Sequence, residues 1–179
     1  MKRILLLFGV LSLMMTTFQA NAQRRSSGGG GNPADYNTAL GVRLNPWLVG
    51  FTVKHFLKGP HAIEGIVSHY FNGNDEPTNV TFTGLYEYHW NVFGKSEWNM
   101  YAGGGAHLGL WRAYEWDNGR RRDRTTKAVA GLDGIFGVEY TFKNIPLNLS
   151  ADLKPYVNFN GYNDFIGEQI GGVSARYTF

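Results

Sequence analysis

Five histidines are the side chains best suited to proton transfer or metal binding, but their spacing does not bring them together. They are His55, His61, His69, His89 and His107. Ser68 and His69 are adjacent, and adjacent side chains of a strand point to opposite faces, so the two cannot form a nucleophile–base pair. The chain contains no Cys, which excludes thiolate metal sites and disulfides. We therefore predict no catalytic residue, no metal site and no cofactor.

A glycine-rich run from Gly103 to Gly109 is the second candidate for chemistry, because glycine loops bind phosphates. Its sequence, GGGAHLG, does not follow the G-x-G-x-x-G spacing, and no helix pattern follows it to present an N-terminus to a phosphate. We interpret these glycines as strand residues that make room for large inward side chains such as Tyr101 and Trp111, or that let the strand bend.

The strongest pattern belongs to nine charged residues that share one parity of an alternating sequence. The opposite parity carries apolar residues such as Leu40, Val42 and Phe51. Alternation with period two is typical of strands that have one polar and one apolar face. The nine charged residues are Arg43, Lys54, Glu64, Glu87, Asp133, Glu139, Asp152, Lys154 and Arg176.

These charges can pair with one another if the hairpins close at their obvious turns. The expected neighbours are Lys54 with Glu64, Glu87 with Tyr101, and Lys154 diagonally with Asp133. Buried charges persist when they are paired and hydrogen-bonded, and four cations against five anions allow this. We interpret the set as a charge network that fills an interior; a path for ions is the alternative.

Eight segments show this alternation, and turn or polar residues separate them. The second, fourth and sixth connections are short, whereas the third, fifth and seventh are longer and polar. We find no convincing helix pattern beyond the N-terminal region. The segments cover 39–44, 49–57, 62–70, 80–90, 98–111, 128–142, 147–159 and 171–179. The sequence thus predicts an all-β fold, an eight-stranded antiparallel up-and-down transmembrane β-barrel.

The position of the aromatic residues decides which face of this barrel is outside. A soluble barrel would turn its apolar face inward, whereas a Lys or Arg that faces lipid at the membrane midplane costs ~2–4 kcal/mol. Aromatic residues gather at strand ends, as they do in interfacial girdles. At the end with short turns these are Tyr88, Trp90, Trp98, Tyr140, Phe142, Tyr177 and Phe179. We therefore expect the charges inside, the apolar face in lipid, and both termini in the periplasm.

The N-terminal region predicts export. Lys2 and Arg3 precede an apolar run from Ile4 to Met15, and Ala20-Asn21-Ala22 fits a cleavage site. A transmembrane helix is the alternative, but the run is shorter than the ~20 residues that a span needs. We divide the chain into a signal peptide (1–22), a flexible Gly/Ser-rich periplasmic leader (23–37) and the barrel (38–179). Without Lys2 and Arg3, 17 Lys and Arg become 15 against 14 Asp and Glu, so nothing indicates nucleic-acid binding.

The whole pattern resembles a known family. The residues that carry the likeness are 41–44 (GVRL), 62–65 (AIEG), 85–88 (LYEY), 103–107 (GGGAH), 134–140 (GIFGVEY) and 176–179 (RYTF). With its terminal Phe179 and Tyr177 two residues before it, the chain resembles small Bacteroidetes-type outer-membrane barrels of the OmpA-like/OmpX-like porin superfamily. The resemblance implies a Gram-negative outer-membrane location after cleavage near Ala22, and Tyr177 and Phe179 as a C-terminal signal for the barrel-insertion machinery. It implies no single activity.

One further cluster, of arginine residues, predicts a binding partner. Five arginines in the fifth connection can bind lipopolysaccharide phosphates through bidentate hydrogen bonds, unless the loop is merely solvated. They are Arg112, Arg120, Arg121, Arg122 and Arg124. Barrel lipid A deacylases carry a His-x-Ser pattern, which is absent here, so we do not expect an enzyme. We expect a monomer with a plugged lumen and a structural or surface role, and keep a narrow solute channel and a lipid-modifying enzyme as alternatives.

Overall fold

The structure is a computed structural model, and it describes residues 32–70, 80–113, 116–117, 120–121, 125–159 and 171–179. The predicted signal peptide and the first part of the predicted leader lie outside these residues. Within the described ranges, no helix has the length and apolar character needed to cross a membrane.

Eight antiparallel strands form a closed barrel, which confirms the predicted fold. They are β1 (Thr38–Leu44), β2 (Leu48–Lys58), β3 (His61–Tyr70), β4 (Val80–Val92), β5 (Lys95–Ala113), β6 (Thr125–Thr141), β7 (Leu147–Leu153, continued at Tyr156–Asn158) and β8 (Gly171–Thr178). Each strand pairs with the next, and β8 returns to pair with β1, where Ala39 lies opposite Thr178. Between β5 and β6, Trp116–Asp117 and Arg120–Arg121 form a separate two-stranded ribbon.

The two ends of the barrel differ in their connections. We call the end that holds the start of β1, the end of β8 and the turns around 59–60, 93–94 and 142–146 the short-turn end. The opposite end, where β3 meets β4, β5 meets β6 and β7 meets β8, is the long-loop end. Its connection between β1 and β2 is the exception, because it spans only Asn45, Pro46 and Trp47.

The turn between β4 and β5 corrects one predicted pair. Phe93 and Gly94 both have positive φ angles (58° and 64°), so the hairpin closes on two residues, and a bulge follows in β5. As a result His89 lies opposite Tyr101, and Glu87 lies opposite Gly103. The predicted pairing of Glu87 with Tyr101 is wrong, because the sequence pattern placed a wider turn at 91–97.

Strand β7 is interrupted at Lys154 and Pro155, although its register against β6 is the same on both sides. Leu153 lies opposite Phe136, and Tyr156 lies opposite Asp133. The carbonyl of Pro155 accepts a hydrogen bond from Gly134 N (2.8 Å). Pro155 has no N–H, so its backbone cannot donate a hydrogen bond to β6 in return. Because the register is the same on both sides of the interruption, Lys154 lies diagonal to Asp133, as predicted.

Charged residues lie on the inner face of the barrel wall and large apolar residues on the outer face, as the period-two alternation of the sequence predicts. All nine charged residues of that pattern are buried in the interior, and large apolar side chains cover the outside; Phe82 is 58% exposed and Leu108 66%. An inverted barrel with an apolar lumen is therefore excluded. Inside, Ile66, Leu85 and Ile135 form only a thin apolar layer around Tyr101.

A glycine on β6 makes room for the fully buried ring of Tyr101. A Cβ on Gly137 would lie 2.5 Å from Cζ of Tyr101. This role does not extend to the glycine-rich run 103–109, because a Cβ on Gly103 or Gly105 would meet a backbone oxygen of β4 at 2.0 or 1.8 Å and not a large inward side chain. The side chain of Trp111 lies outside the described part.

Residues 32–37, the end of the predicted leader, pack against the short-turn end. Ala34 and Tyr36 are buried beside Ala39, Phe56 and Ala62. These six residues therefore belong with the barrel and not with a flexible leader. The physical reason is that the ring of Tyr36 packs edge-on against the inward Phe56, with centroids 5.2 Å apart.

Candidate functional site in the barrel interior

Lys54 is the centre of the largest charge cluster. Its Nζ lies 2.8 Å from Glu87 Oε2, 3.3 Å from Glu64 Oε2 and 3.6 Å from Glu139 Oε2, and all four side chains are fully buried. The ammonium also lies 3.9 Å from the centre of the Tyr101 ring. Three strands thus supply carboxylates to one cation, whose charge the ring stabilises further.

Arg176 on β8 is the second cation of this cluster. Its Nη2 lies 2.5 Å from Glu64 Oε1, and its Nη1 donates to Ser150 Oγ at 2.7 Å and faces Asn148 Oδ1 at 3.4 Å. Its Nε donates to Thr52 Oγ1 at 3.3 Å, and Thr52 in turn donates to Glu64 Oε1. The planar guanidinium therefore joins β2, β3, β7 and β8 across the lumen.

His89 lies between two of the glutamates. Its Nε2 is 3.0 Å from Glu87 Oε2 and its Nδ1 is 3.4 Å from Glu139 Oε1, while its ring stacks on Tyr101 with centroids 5.0 Å apart. The cluster otherwise holds two cations against three carboxylates. His89 therefore lies within ion-pair distance of two carboxylates of the cluster.

Arg43 and Asp152 form a second group nearer the long-loop end. The guanidinium binds the carboxylate through two parallel hydrogen bonds, of which Nη2–Oδ1 measures 2.6 Å. Tyr101 Oη donates to the same carboxylate at 3.2 Å. Tyr101 therefore touches both groups, with its ring on Lys54 and its hydroxyl on Asp152.

Asp133 anchors a third group on β6. Lys154 Nζ lies 2.5 Å from Asp133 Oδ1, and His107 Nδ1 lies 2.6 Å from Oδ2 of the same carboxylate. The other nitrogen of His107 lies 2.9 Å from Asn158 Oδ1. Both histidines that point inward are thus held by carboxylates.

Little space remains between these groups. A cavity lined by Arg43, Ser68 and Lys154 has a volume of about 10 Å³, which is room for about one water. No cluster of His, Cys, Asp and Glu within the described ranges has the arrangement of a metal site. Chemically, the arrangement pairs charges inside the barrel.

The remaining predicted residues are placed as follows. Tyr177 and Phe179 lie on the outside at the short-turn end, and their rings contact each other at 5.0 Å. The backbone of Arg112 is part of β5, and Arg120 and Arg121 lie in the two-stranded ribbon; their side chains are outside the described part. Arg122 and Arg124 lie outside it altogether.

The polar but uncharged members of the network were not predicted from the sequence. Asn148 and Ser150 share the parity of Asp152, so the parity rule would have found them had it been extended beyond charged residues. Tyr36 carried no such signal, because it precedes the first strand.

The comparisons with known proteins support the fold. No model of a protein family matches the sequence, and no curated protein matches it. Among solved structures, the N-terminal β-barrel domain of OprF from Pseudomonas aeruginosa is similar, with a TM-score of 0.59 and 15% sequence identity. The alignment covers 79% of this chain and 95% of that domain. At this identity the likeness shows a β-barrel fold in common and leaves function to be argued from the residues.

Proposed function

We propose that this chain is a small, monomeric, non-enzymatic outer-membrane β-barrel that contributes to envelope structure or surface interaction and whose lumen is plugged by its own charged side chains. The observation that carries the proposal is that charged side chains are buried inside the barrel, whereas apolar side chains cover its outer surface. The fully buried charged residues include Lys54, Glu64, Glu87 and Glu139. In water this surface would be a liability, because large exposed apolar patches drive association. In a bilayer it is the surface that lipid solvates.

The aromatic residues at the short-turn end support a membrane boundary there. Tyr88 contacts Trp90, and Tyr140 lies between Trp98 and Phe142 with centroids 4.9 and 4.8 Å apart. Amphipathic rings of this kind favour the level of the lipid headgroups. With the signal peptide expected at residues 1–22, the short-turn end faces the periplasm and the long-loop end faces outward.

Gel mobility with and without heating tests this proposal. The chain, expressed with its signal sequence in a Gram-negative host, should be recovered in the outer membrane and migrate faster when it is not boiled, because a closed barrel resists detergent. Recovery in the soluble periplasmic fraction without a mobility shift would contradict the proposal.

A narrow solute channel remains the second candidate, since inward-parity glycines on β5 and β6, such as Gly103, Gly105 and Gly131, carry no side chain into the lumen. Bilayer conductance separates the two. The paired charges and the small residual cavity favour a closed lumen, so we expect no steady single-channel conductance. Regular conductance steps from the mobility-shifted protein would establish the channel instead.

Two partners belong to this proposal. The arginines of the fifth connection are proposed to bind lipopolysaccharide phosphates, and replacing Arg120, Arg121, Arg122 and Arg124 by Gln should then reduce co-purified lipopolysaccharide. Tyr177 and Phe179 are proposed to serve recognition by the insertion machinery. If the glutamine variant retains its full lipopolysaccharide content, the first assignment fails.

A further inference from the structure

Residues 32–37 cross the short-turn end from one side of the barrel to the other. On one side, Asn37 N donates to Phe179 O (3.1 Å), and Phe56 N donates to Asn37 O (2.8 Å). On the other side, Asn91 Nδ2 donates to Pro33 O (2.9 Å). The segment is thus fastened both where β1 meets β8 and at the hairpin between β4 and β5.

Tyr36 inserts into the lumen from this segment. Its ring packs edge-on against Phe56 with centroids 5.2 Å apart, and its hydroxyl donates to Glu139 Oε2 at 3.2 Å. Burial, followed by the charge of Glu139, raises the pKa of Tyr36, so the hydroxyl keeps the proton that it donates. Phe56 in turn packs against His89 at 4.8 Å. Tyr36 therefore lies directly over the Lys54 cluster.

The segment is separate from the barrel wall. The wall closes without it, because β1 and β8 pair directly through six residue pairs. The segment adds a turn of its own, in which Asn32 Nδ2 donates to Tyr36 O at 2.5 Å and Asp35 has a positive φ of 58°. Loss of these contacts would leave every strand pair of the barrel intact.

What the segment covers is polar and buried. Within the described part of the chain, Glu87 Oε1 and Glu139 Oε1 accept no hydrogen bond, although Glu139 Oε1 lies 3.4 Å from His89 Nδ1. Water that reached them would solvate both carboxylates, so their burial depends on a cover at the short-turn end.

We propose that the mouth of the barrel at the short-turn end is a binding pocket for residues 32–37, and that this segment is a removable plug, with Tyr36 as its anchor, that keeps water from the Lys54 cluster. The proposal rests on the barrel topology and is independent of whether the lumen conducts.

Cysteine reactivity tests it, since the chain has no Cys of its own. Ala62→Cys places a thiol beneath the plug, where Ala62 is fully buried beside Tyr36. Lys95→Cys, at an exposed position of the same end, is the control. In the folded full-length barrel, a water-soluble maleimide should label Lys95→Cys rapidly and Ala62→Cys slowly. Equal rates at the two positions would overturn the proposal without any further variant.

Tyr36→Ala should then speed the labelling of Ala62→Cys at least about tenfold, because access requires local opening and the anchor sets its free energy. Tyr36→Phe keeps the ring and should have a smaller effect, and a synthetic peptide of residues 29–38 should slow labelling of the Tyr36→Ala protein again. An unchanged rate in Tyr36→Ala would refute the plug. Heated and unheated gel mobility is recorded for each variant, so a variant that keeps its mobility shift reports on the plug alone.

Discussion

At the scale of residues, the unusual feature is a lumen in which charges take the place of an apolar core. Desolvating a charge is costly, and the cost is met only if every partner is present and well placed. Lys54 illustrates this, because its Nζ lies within 4 Å of three carboxylates from three strands. Removing Lys54 would leave three buried carboxylates near one another without the cation that they share.

Lys54→Met should therefore destabilise the barrel by about 3–5 kcal/mol, since it leaves buried Glu87 and Glu139 without their cation. Lys54→Met combined with Glu87→Gln should recover part of the loss. Urea unfolding of the barrel in lipid vesicles measures the difference. The matched control is Lys95→Met at an exposed position, which should change stability by less than about 0.5 kcal/mol. Equal effects at positions 54 and 95 would show that the network does not stabilise the fold.

At the scale of elements, the strands are organised around Tyr101. Its ring lies between Lys54 and His89, and its hydroxyl reaches Asp152, so β5 contacts two of the three charge groups through one side chain. Gly137 lies directly opposite Tyr101 in β6, and its missing side chain leaves room for the ring. Position 137 is thus constrained by a neighbour and not by its backbone angles.

Gly137→Ala should destabilise the barrel by about 1–3 kcal/mol, because the new Cβ would lie 2.5 Å from Tyr101 Cζ and 2.7 Å from Asp152 Cβ. Gly65→Ala is the matched control, as nothing lies within 4 Å of a Cβ there. The temperature at which the unheated gel band is lost compares the two. If Gly65→Ala loses the unheated band at a lower temperature than Gly137→Ala does, the role assigned to Gly137 is wrong.

At the scale of the whole molecule, period-two alternation was enough to predict eight strands, their order and which residues share a face. The aromatic residues at the strand ends were needed to predict which face is outside. The register was predicted correctly for Lys54 and Glu64, although a small irregularity follows their turn, and incorrectly for Glu87, where the shift after the turn is larger. Contacts between residues distant in sequence, such as Arg176 with Glu64, depend on how the barrel closes, and no local pattern encodes them. Tyr36 was missed for the same reason.

The central claim is that the outer face of this barrel is in lipid, and a spin label at position 82 tests it most directly. Phe82→Cys lies on the outside of β4, and Lys95→Cys at the exposed rim is the reference in water. In bilayers, the label at position 82 should collide readily with oxygen, which dissolves in lipid, and hardly with a water-soluble nickel chelate. Position 95 should show the opposite preference. Nickel collisions at position 82 as frequent as those at position 95 would contradict the account, because they would place the apolar face in water.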